Sequence, residues 1–179
     1  QIKIFPFILR SVCLSFTPVL CHKDIDMIAV VQRVSSGEVK ISGRSRGKIG
    51  MGYVILLGVA EDDSQQDADW LAEKIVGLRV FEDENEKMNL SIKDVEGKAL
   101  VISQFTLLAD YKRGRRPGFT RAARPEKAIP LYEYFMDQLW HQGIEVEKGE
   151  FGTEMQVHIM NEGPVTLVMD STVKYPRES

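Results

Sequence analysis

The chain has 179 residues, 44% of them hydrophobic, and a net charge of −3, which fits one globular domain large enough to bury a core. This charge excludes a protein that coats nucleic acid through a basic surface on every side. Both cysteines, Cys13 and Cys21, precede Met27, and only His141 and His158 follow it. No disulfide framework, metal site or cofactor is therefore expected in the main part of the chain.

Residues 1–26 differ in composition from the remainder, since they contain three cations and no acid before Asp24. Prolines and an arginine interrupt their apolar residues, so neither a membrane span nor a secretory signal is expected. The segment fits a transit peptide, a translated leader or an artefact of the gene model. We therefore expect a domain at 27–171, a polar tail at 172–179, and a cytoplasmic protein unless residues 1–26 direct it to an organelle.

The first half of the domain predicts strands followed by one helix. Apolar and alternating runs predict strands at Ile28–Val34, Glu38–Ile41 and Tyr53–Ala60. The first two strands are expected to flank a tight hairpin turn, and the Gly- and Ser-rich stretch Gly43–Gly52 is expected to be loop or a second turn. Capping residues at 62–64 then precede apolar residues at helical spacing, which predicts an amphipathic helix.

The second half predicts one more helix and several strands. The strands are expected at Arg79–Phe81, Leu90–Asp94, Leu100–Ala109, Ile144–Glu147, Met155–Met160 and Val165–Met169. The helix is expected to start at Pro125, or at Pro130, and to end at Gly143. Its inward residues are Ile129, Tyr132, Phe135 and Leu139, and Met155, Val157 and Ile159 are expected to pack in the core. The fold class is α+β, a single domain in which a curved, mostly antiparallel, barrel-like sheet carries two main helices.

The stretch from Leu100 to Arg124 carries the first functional signal. A buried strand leads to small polar groups and one aromatic ring at Ser103, Gln104, Phe105 and Thr106. A loop rich in cations follows, with Lys112, Arg113, Arg115, Arg116, Arg121 and Arg124. This order suits an anionic ligand that is held by the loop while the end of the strand performs chemistry. The alternative is a core strand followed by a solvated charged loop.

The second signal is the segment Asn161-Glu162-Gly163-Pro164-Val165-Thr166, between two predicted strands. A Gly–Pro pair in a tight connection is a candidate cis peptide. The alternative is an ordinary hairpin turn, in which Gly and Pro are common.

Taken together, SQFTLLA at 103–109 and NEGPVT at 161–166 resemble the two signature motifs of the D-aminoacyl-tRNA deacylases. The similarity is collinear across residues 27–171 and includes AVVQRVS, LLGVAEDD and GRRPGFTRAA. It implies an enzyme that hydrolyses the ester between a D-amino acid, or glycine, and the terminal adenosine of tRNA. It also implies a homodimer in which the Gly–Pro segment of one subunit enters the active site of the other.

The resemblance implies a cis bond between Gly163 and Pro164, whose carbonyls would accept from the substrate's α-ammonium. An L side chain would then strike the segment, in which Asn161, Val165 and Thr166 also contribute to substrate binding. Steric rejection discriminates strongly, because overlap is costly.

Two roles remain open for the residues at 103–106. Thr106 is a nucleophile in one reading, but the sequence offers it no evident base. In the other reading the ribose 2′-hydroxyl of the substrate activates water, and backbone N–H groups near Gln104–Thr106 stabilise the oxyanion. Ser103, Gln104 and Thr106 then orient the substrate, and Phe105 is a wall or a stacking surface for adenine.

Lys112, Arg113, Arg115 and Arg116 are the expected contacts to the acceptor stem of tRNA. Two rivals remain. One is a non-catalytic RNA-binding module. The other is a related deacylase that removes L-alanine, which lacks the SQFT form and has a trans Gly–Pro bond.

Overall fold

The computed structural model describes residues 27–112 and 114–174. The expectations about residues 1–26, about Arg113 and about the end of the polar tail therefore lie outside the described residues. The described strands are β1 (Ile28–Ile41), β2 (Arg44–Ile49), β3 (Gly52–Gly58), β4 (Phe81–Glu82), β5 (Met88–Leu90), β6 (Lys98–Ser103), β7 (Val146–Lys148) and β8 (Gln156–Asp170). The described helices are the α-helices α1 (Gln65–Gly77) and α2 (Pro125–His141), and two 3₁₀ helices at Phe105–Leu108, after β6, and at Ser171–Lys174, after β8.

The long strand β1 organises the main sheet. It pairs antiparallel with β8 along one edge, and with β3 and then β2 along the other. Strands β3, β6 and β7 continue the sheet in parallel, while β4 and β5 form a separate hairpin. The predicted α+β class, with a curved and mostly antiparallel sheet and two main helices, is confirmed.

The predicted hairpin at the start of the domain is wrong. Ile28–Ile41 is one strand of 14 residues, and its register against β8 shifts on both sides of Val34. At these irregularities the alternation of inward-facing and outward-facing residues along β1 is interrupted. In the sequence, such an interruption resembles a turn between two strands. The predicted loop at Gly43–Gly52 is mostly β2. A Cβ on Gly47 would lie 2.8 Å from the carbonyl oxygen of Lys148, so this glycine serves close strand packing.

Three further predictions need correction. The strand predicted at Leu90–Asp94 ends at Leu90, where the Asp94 carboxylate accepts hydrogen bonds from the backbone and hydroxyl of Ser91 and closes a turn. The strand predicted at Leu100–Ala109 ends at Ser103 and gives way to the first 3₁₀ helix. Val157 is exposed rather than in the core.

The two helices cover one face of the sheet. Ser64, one of the predicted capping residues, forms a capping box with Asp67 at the start of α1. Helix α2 begins at Pro125, and Pro130 lies inside it. Tyr132, Phe135 and Leu139 point into the core as predicted, whereas Ile129 is only half-buried.

Two hydrophobic clusters enclose β6. The larger lies between the sheet and both helices, and the smaller joins Val34, Val39, Ile49, Val54, Leu100 and Ile102 on the other face. Val101 and Leu100, which point to opposite faces, are both fully buried. The prediction that this strand is buried on both faces is confirmed, and the strand end that follows is consequently held rigidly.

Candidate active site

The segment 103–106 lies where the buried strand β6 ends. Ser103 is the last residue of β6 and pairs with Leu57 of β3. The Gln104 N–H donates to the Leu57 carbonyl at 2.8 Å, after which the chain leaves the sheet and turns into the first 3₁₀ helix. Leu108 is fully buried and anchors that helix, while Phe105 and Thr106 remain exposed. The buried end of β6 therefore fixes where Phe105 and Thr106 lie on the surface.

The first turn of this 3₁₀ helix leaves two backbone donors without an acceptor in the helix. Its i→i−3 pattern starts at Leu107, whose N–H donates to the Gln104 carbonyl at 3.2 Å. The N–H groups of Phe105 and Thr106 precede that bond and have no acceptor within the helix. The Gln104 side-chain amide donates to the Thr106 hydroxyl. No histidine, lysine or carboxylate hydrogen-bonds to Thr106 among the described residues.

The ring of Phe105 is 53% exposed and stands on a second aromatic ring. Phe105 and Phe119 meet in a T-shaped pair with centroids 5.1 Å apart and planes at 71°. Sequence reasoning singled out Phe105 but gave no role to Phe119, which comes 14 positions later within the matched stretch GRRPGFTRAA.

The basic loop is closed at its base. Asp110 and Gly118 exchange two backbone hydrogen bonds of 2.8 Å, and the Asp110 carboxylate accepts from the Lys112 N–H at 3.0 Å. Between them, Lys112, Arg115 and Arg116 are exposed, and Tyr111 is 77% exposed. The returning chain is fastened to the end of β3 by an Ala60–Ala122 bridge and by the hydrogen bond from the Glu61 N–H to the Arg121 carbonyl at 2.9 Å.

The Gly163–Pro164 segment is not a hairpin turn, because the residues before and after it run in one direction along β1. Gln32 pairs with Thr166 and Val34 pairs with Asn161, so residues 162–165 bulge out of the ladder opposite Arg33. The peptide bond between Gly163 and Pro164 is cis. Both residues are exposed, whereas Val165 is buried beneath them.

Side chains on both strands hold this bulge. The Asn161 amide donates to the Val165 carbonyl at 3.3 Å and to the Thr166 hydroxyl at 3.4 Å. The Gln32 amide reaches the same hydroxyl at 3.4 Å. Asn161 and Thr166 therefore shape the segment, and neither carbonyl of Gly163 or Pro164 is part of the β1–β8 ladder.

Arg33 supports the bulge from behind, and sequence reasoning missed it. Its side chain is 6% exposed, and its guanidinium donates to the Val80 carbonyl at 2.6 Å, the Glu162 carbonyl at 3.2 Å and the Glu82 carboxylate at 3.3 Å. A Cβ on Gly163 would lie 2.8 Å from Nη2 of Arg33, and Gly163 has φ +117. A glycine is needed there both for the backbone conformation and for this contact.

The phenol of Tyr53 lies opposite Arg33 on β3. Burial raises its pKa above the ordinary value, and the Arg33 charge opposes this weakly. The phenol therefore stays neutral at any ordinary pH and adds no charge beside Arg33.

The segments at 103–106 and 161–166 do not meet within the chain. Strands β1 and β3 lie between β8 and β6. Three strand spacings of about 4.8 Å amount to roughly 14 Å along the sheet. The predicted catalytic residues and the predicted selectivity segment of one chain are therefore two separate sites.

Two clefts lie beside these sites. One, of about 300 Å³, is bounded by Arg46, Tyr132, Lys148 and Phe151, and reaches the part of β7 that pairs with β6. The other, of about 320 Å³, is bounded by Ser36, Glu38, Lys48 and His158. Neither of these two clefts is lined by the residues at 103–106 or 161–166.

Residues 27–112 and 114–174 contain no group of three or more histidine, cysteine or acidic residues placed to hold a metal ion. No helix in the same ranges is long and apolar enough to cross a membrane.

Comparison with known proteins agrees with this geometry. The model of the family described as D-Tyr-tRNA(Tyr) deacylase matches residues 30–170. A D-aminoacyl-tRNA deacylase of Symbiobacterium thermophilum is 57% identical over 143 residues, which cover 80% of this chain and 95% of that protein. The D-aminoacyl-tRNA deacylase of Thermotoga petrophila is 51% identical over 146 residues, covering 82% and 98%.

Solved structures give the same fold. The structure named c-Myc DNA Unwinding Element Binding Protein has a TM-score of 0.76 at 39% identity and covers 79% of this chain and 97% of its own. A probable eukaryotic D-amino acid tRNA deacylase, 15% identical with a TM-score of 0.69 over 80% of this chain and 98% of its own, shares the fold. The stretch that matches the family model contains both motif-bearing segments. The chain belongs to the D-Tyr-tRNA(Tyr) deacylase family.

Arg33 gives a test of how the Gly–Pro bulge is held. We expect Arg33→Met to lower the free energy of unfolding by roughly 2–3 kcal/mol, because the buried Val80 carbonyl and the Glu162 carbonyl lose charged donors. Urea denaturation measures this, and Gln32→Ala on the same strand, which loses one exposed hydrogen bond, is the control. Equal stability of Arg33→Met and wild type would contradict the supporting role of Arg33.

Proposed function

We propose that the protein hydrolyses the ester of D-aminoacyl-tRNA, and of glycyl-tRNA, and releases free tRNA and the amino acid. The observation that carries the proposal is the family match across residues 30–170, which includes both motif-bearing segments. The geometry supports it, since small polar groups and N–H donors without an acceptor in the helix stand beside a basic loop. The protein works where charged tRNA is used, in the cytoplasm, or in an organelle if residues 1–26 are a transit peptide.

The active form in this proposal is a homodimer. Within one chain the segments at 103–106 and 161–166 are separated by β1 and β3, whereas a second copy can supply the missing segment. Among the described residues, strand β8 has a partner on one edge only, so its other edge offers backbone groups to a neighbour. The bulge of one subunit then stands over the strand end of the other, and each active site needs both chains.

In this proposal the enzyme selects the D ester because the bulge limits where the substrate side chain can lie, and not because a pocket binds that side chain. The carbonyls of Gly163 and Pro164, which lie outside the β1–β8 ladder, accept from the α-ammonium, while Asn161, Val165 and Thr166 hold their backbone in shape. With the ammonium and the ester both fixed, an L side chain overlaps the bulge and a D side chain points away. Glycine has no side chain to reject.

In this proposal the protein promotes hydrolysis mainly by positioning the substrate, and less through the chemistry of its side chains. The substrate's 2′-hydroxyl activates a water, which attacks the ester carbonyl, and the N–H groups of Phe105 and Thr106 stabilise the oxyanion. Ser103, Gln104 and Thr106 orient the substrate, and Phe105 bounds the terminal adenosine. The hydrogen bond from the Gln104 amide to the Thr106 hydroxyl favours this role for Thr106, because its hydroxyl has an orienting donor and no base.

Binding of tRNA uses the basic loop. Lys112, Arg115 and Arg116 are exposed on a loop whose base is closed, and Arg113, outside the described residues, belongs to the same run. Contacts to phosphates carry no sequence preference, which suits an enzyme that accepts many tRNAs. A non-catalytic nucleic-acid-binding protein is the alternative, and it predicts binding of tRNA without turnover.

Stereochemistry tests the function. We expect the full chain to release amino acid from D-Tyr-tRNA at least about a hundredfold faster than from L-Tyr-tRNA, since steric overlap opposes the L ester. Release of labelled tyrosine measures both rates, with each ester in buffer alone as the control. No release from either ester would favour the non-catalytic alternative, and equal release would contradict selection by the Gly163–Pro164 bulge.

Salt dependence tests the basic loop. Replacing Arg115 and Arg116 with Gln should weaken tRNA binding and reduce the slope of log affinity against log salt by roughly 1–2. The matched control replaces Lys87 and Lys93, which precede β6 in the chain and lie outside the basic loop, with Gln, and should leave the slope unchanged. An unaltered slope in the Arg115 and Arg116 variant would exclude these residues as phosphate contacts.

The role of Thr106 is tested by two changes, one in the enzyme and one in the substrate. Thr106→Ala should slow turnover by about tenfold, the worth of one orienting hydrogen bond. A substrate with a 2′-deoxy terminal adenosine should lose far more. Single-turnover rates measure both effects. Complete loss of turnover in Thr106→Ala and Thr106→Val, with tRNA binding intact, would instead identify Thr106 as the nucleophile.

A further inference from the structure

The contact between Phe105 and Phe119 connects two regions that the proposed function uses separately. Phe105 belongs to the 3₁₀ helix at the end of β6, and Phe119 directly follows Gly118, where the basic loop closes. Their rings meet in a T-shaped pair at 5.1 Å. The wall of the candidate active site thus rests on the loop that is proposed to hold tRNA.

Phe105 has little else to fix its ring. The side chain is 53% exposed, and its neighbours at 104 and 106 are engaged with each other through the Gln104–Thr106 hydrogen bond. An aromatic side chain that is half in solvent changes rotamer readily unless a neighbour restrains it. Phe119 is the one aromatic ring paired with it among the described residues.

Phe119 is itself held firmly. Its carbonyl accepts the Ala122 N–H at 3.1 Å, Gly118 before it bonds twice to Asp110, and Ala122 after it bridges to Ala60 at the end of β3. The ring is half-buried, unlike the exposed residues of the loop. Phe119 therefore combines a fixed backbone with a ring that reaches the site.

We propose that Phe119 is a positioning residue that orients Phe105, and through it the terminal adenosine, for hydrolysis. This inference rests on the proposed deacylase function. Because T-shaped aromatic pairs have a preferred geometry, loss of one ring frees the other to turn. Turning of Phe105 misplaces the ester relative to the N–H donors of Phe105 and Thr106, while the phosphate contacts of the loop remain.

If Phe119 positions Phe105, its replacement should change kcat and leave KM nearly unchanged. Phe119→Leu, which keeps an apolar side chain but removes the ring, should lower kcat for D-Tyr-tRNA by about three- to tenfold and leave KM within about twofold. Phe119→Tyr keeps the ring and should retain the wild-type kcat. A rise in KM with unchanged kcat in Phe119→Leu would overturn the inference, since it would indicate that Phe119 only shapes the basic loop.

A double-mutant cycle makes the test decisive. If Phe119 acts through Phe105, adding Phe119→Leu to Phe105→Leu should change kcat little, because the ring that it orients is already absent. Independent, multiplying losses in the double variant would overturn the inference. If the wild-type protein releases nothing from D-Tyr-tRNA, the proposed function fails and the inference falls with it. An active wild type with multiplying losses rejects the inference alone.

Discussion

The fold depends on one strand that hydrogen-bonds to three others. Strand β1 pairs with β8 along one edge and with β3 and β2 along the other, so it joins both halves of the sheet. Its irregular register at Val34 leaves four residues of β8 without ladder partners opposite Arg33. Strands β1 and β8 pair on both sides of this irregularity. The unpaired residues of β8, which include Gly163 and Pro164, therefore form a bulge.

A buried cation turns that irregularity into a defined shape. Arg33 satisfies carbonyls of two otherwise distant segments, at Val80 and Glu162, and its charge is balanced by a half-exposed Glu82. Exposure of Glu82 reduces the cost of desolvating the pair. The bulge is held by hydrogen bonds to its interior side, which leaves its outer side available to a substrate.

The sequence predicted the fold class, both helices, the buried strand β6 and the position of Ser103 at its end, because these depend on local periodicity and on residue types. The sequence-based predictions were wrong where the pairing or packing of two strands determines the local structure. The interrupted alternation at Val34 resembled a turn, and Gly47 resembled loop although close packing against Lys148 explains it. Arg33 and Phe119 could not be found from local pattern, since their partners lie 129 and 14 positions away. The roles of the predicted site residues remain predictions, as does Arg113.

The closed base of the basic loop has a consequence for how such a protein changes over time. Two backbone hydrogen bonds between Asp110 and Gly118, and the bridge behind them at Ala60 and Ala122, separate residues 111–112 and 114–117 from the sheet. Insertions, deletions or exchanged charges between these closures alter the loop without moving the strand end. Under the proposed function, the strength of tRNA binding can therefore change during evolution while the residues at 103–106 keep their positions.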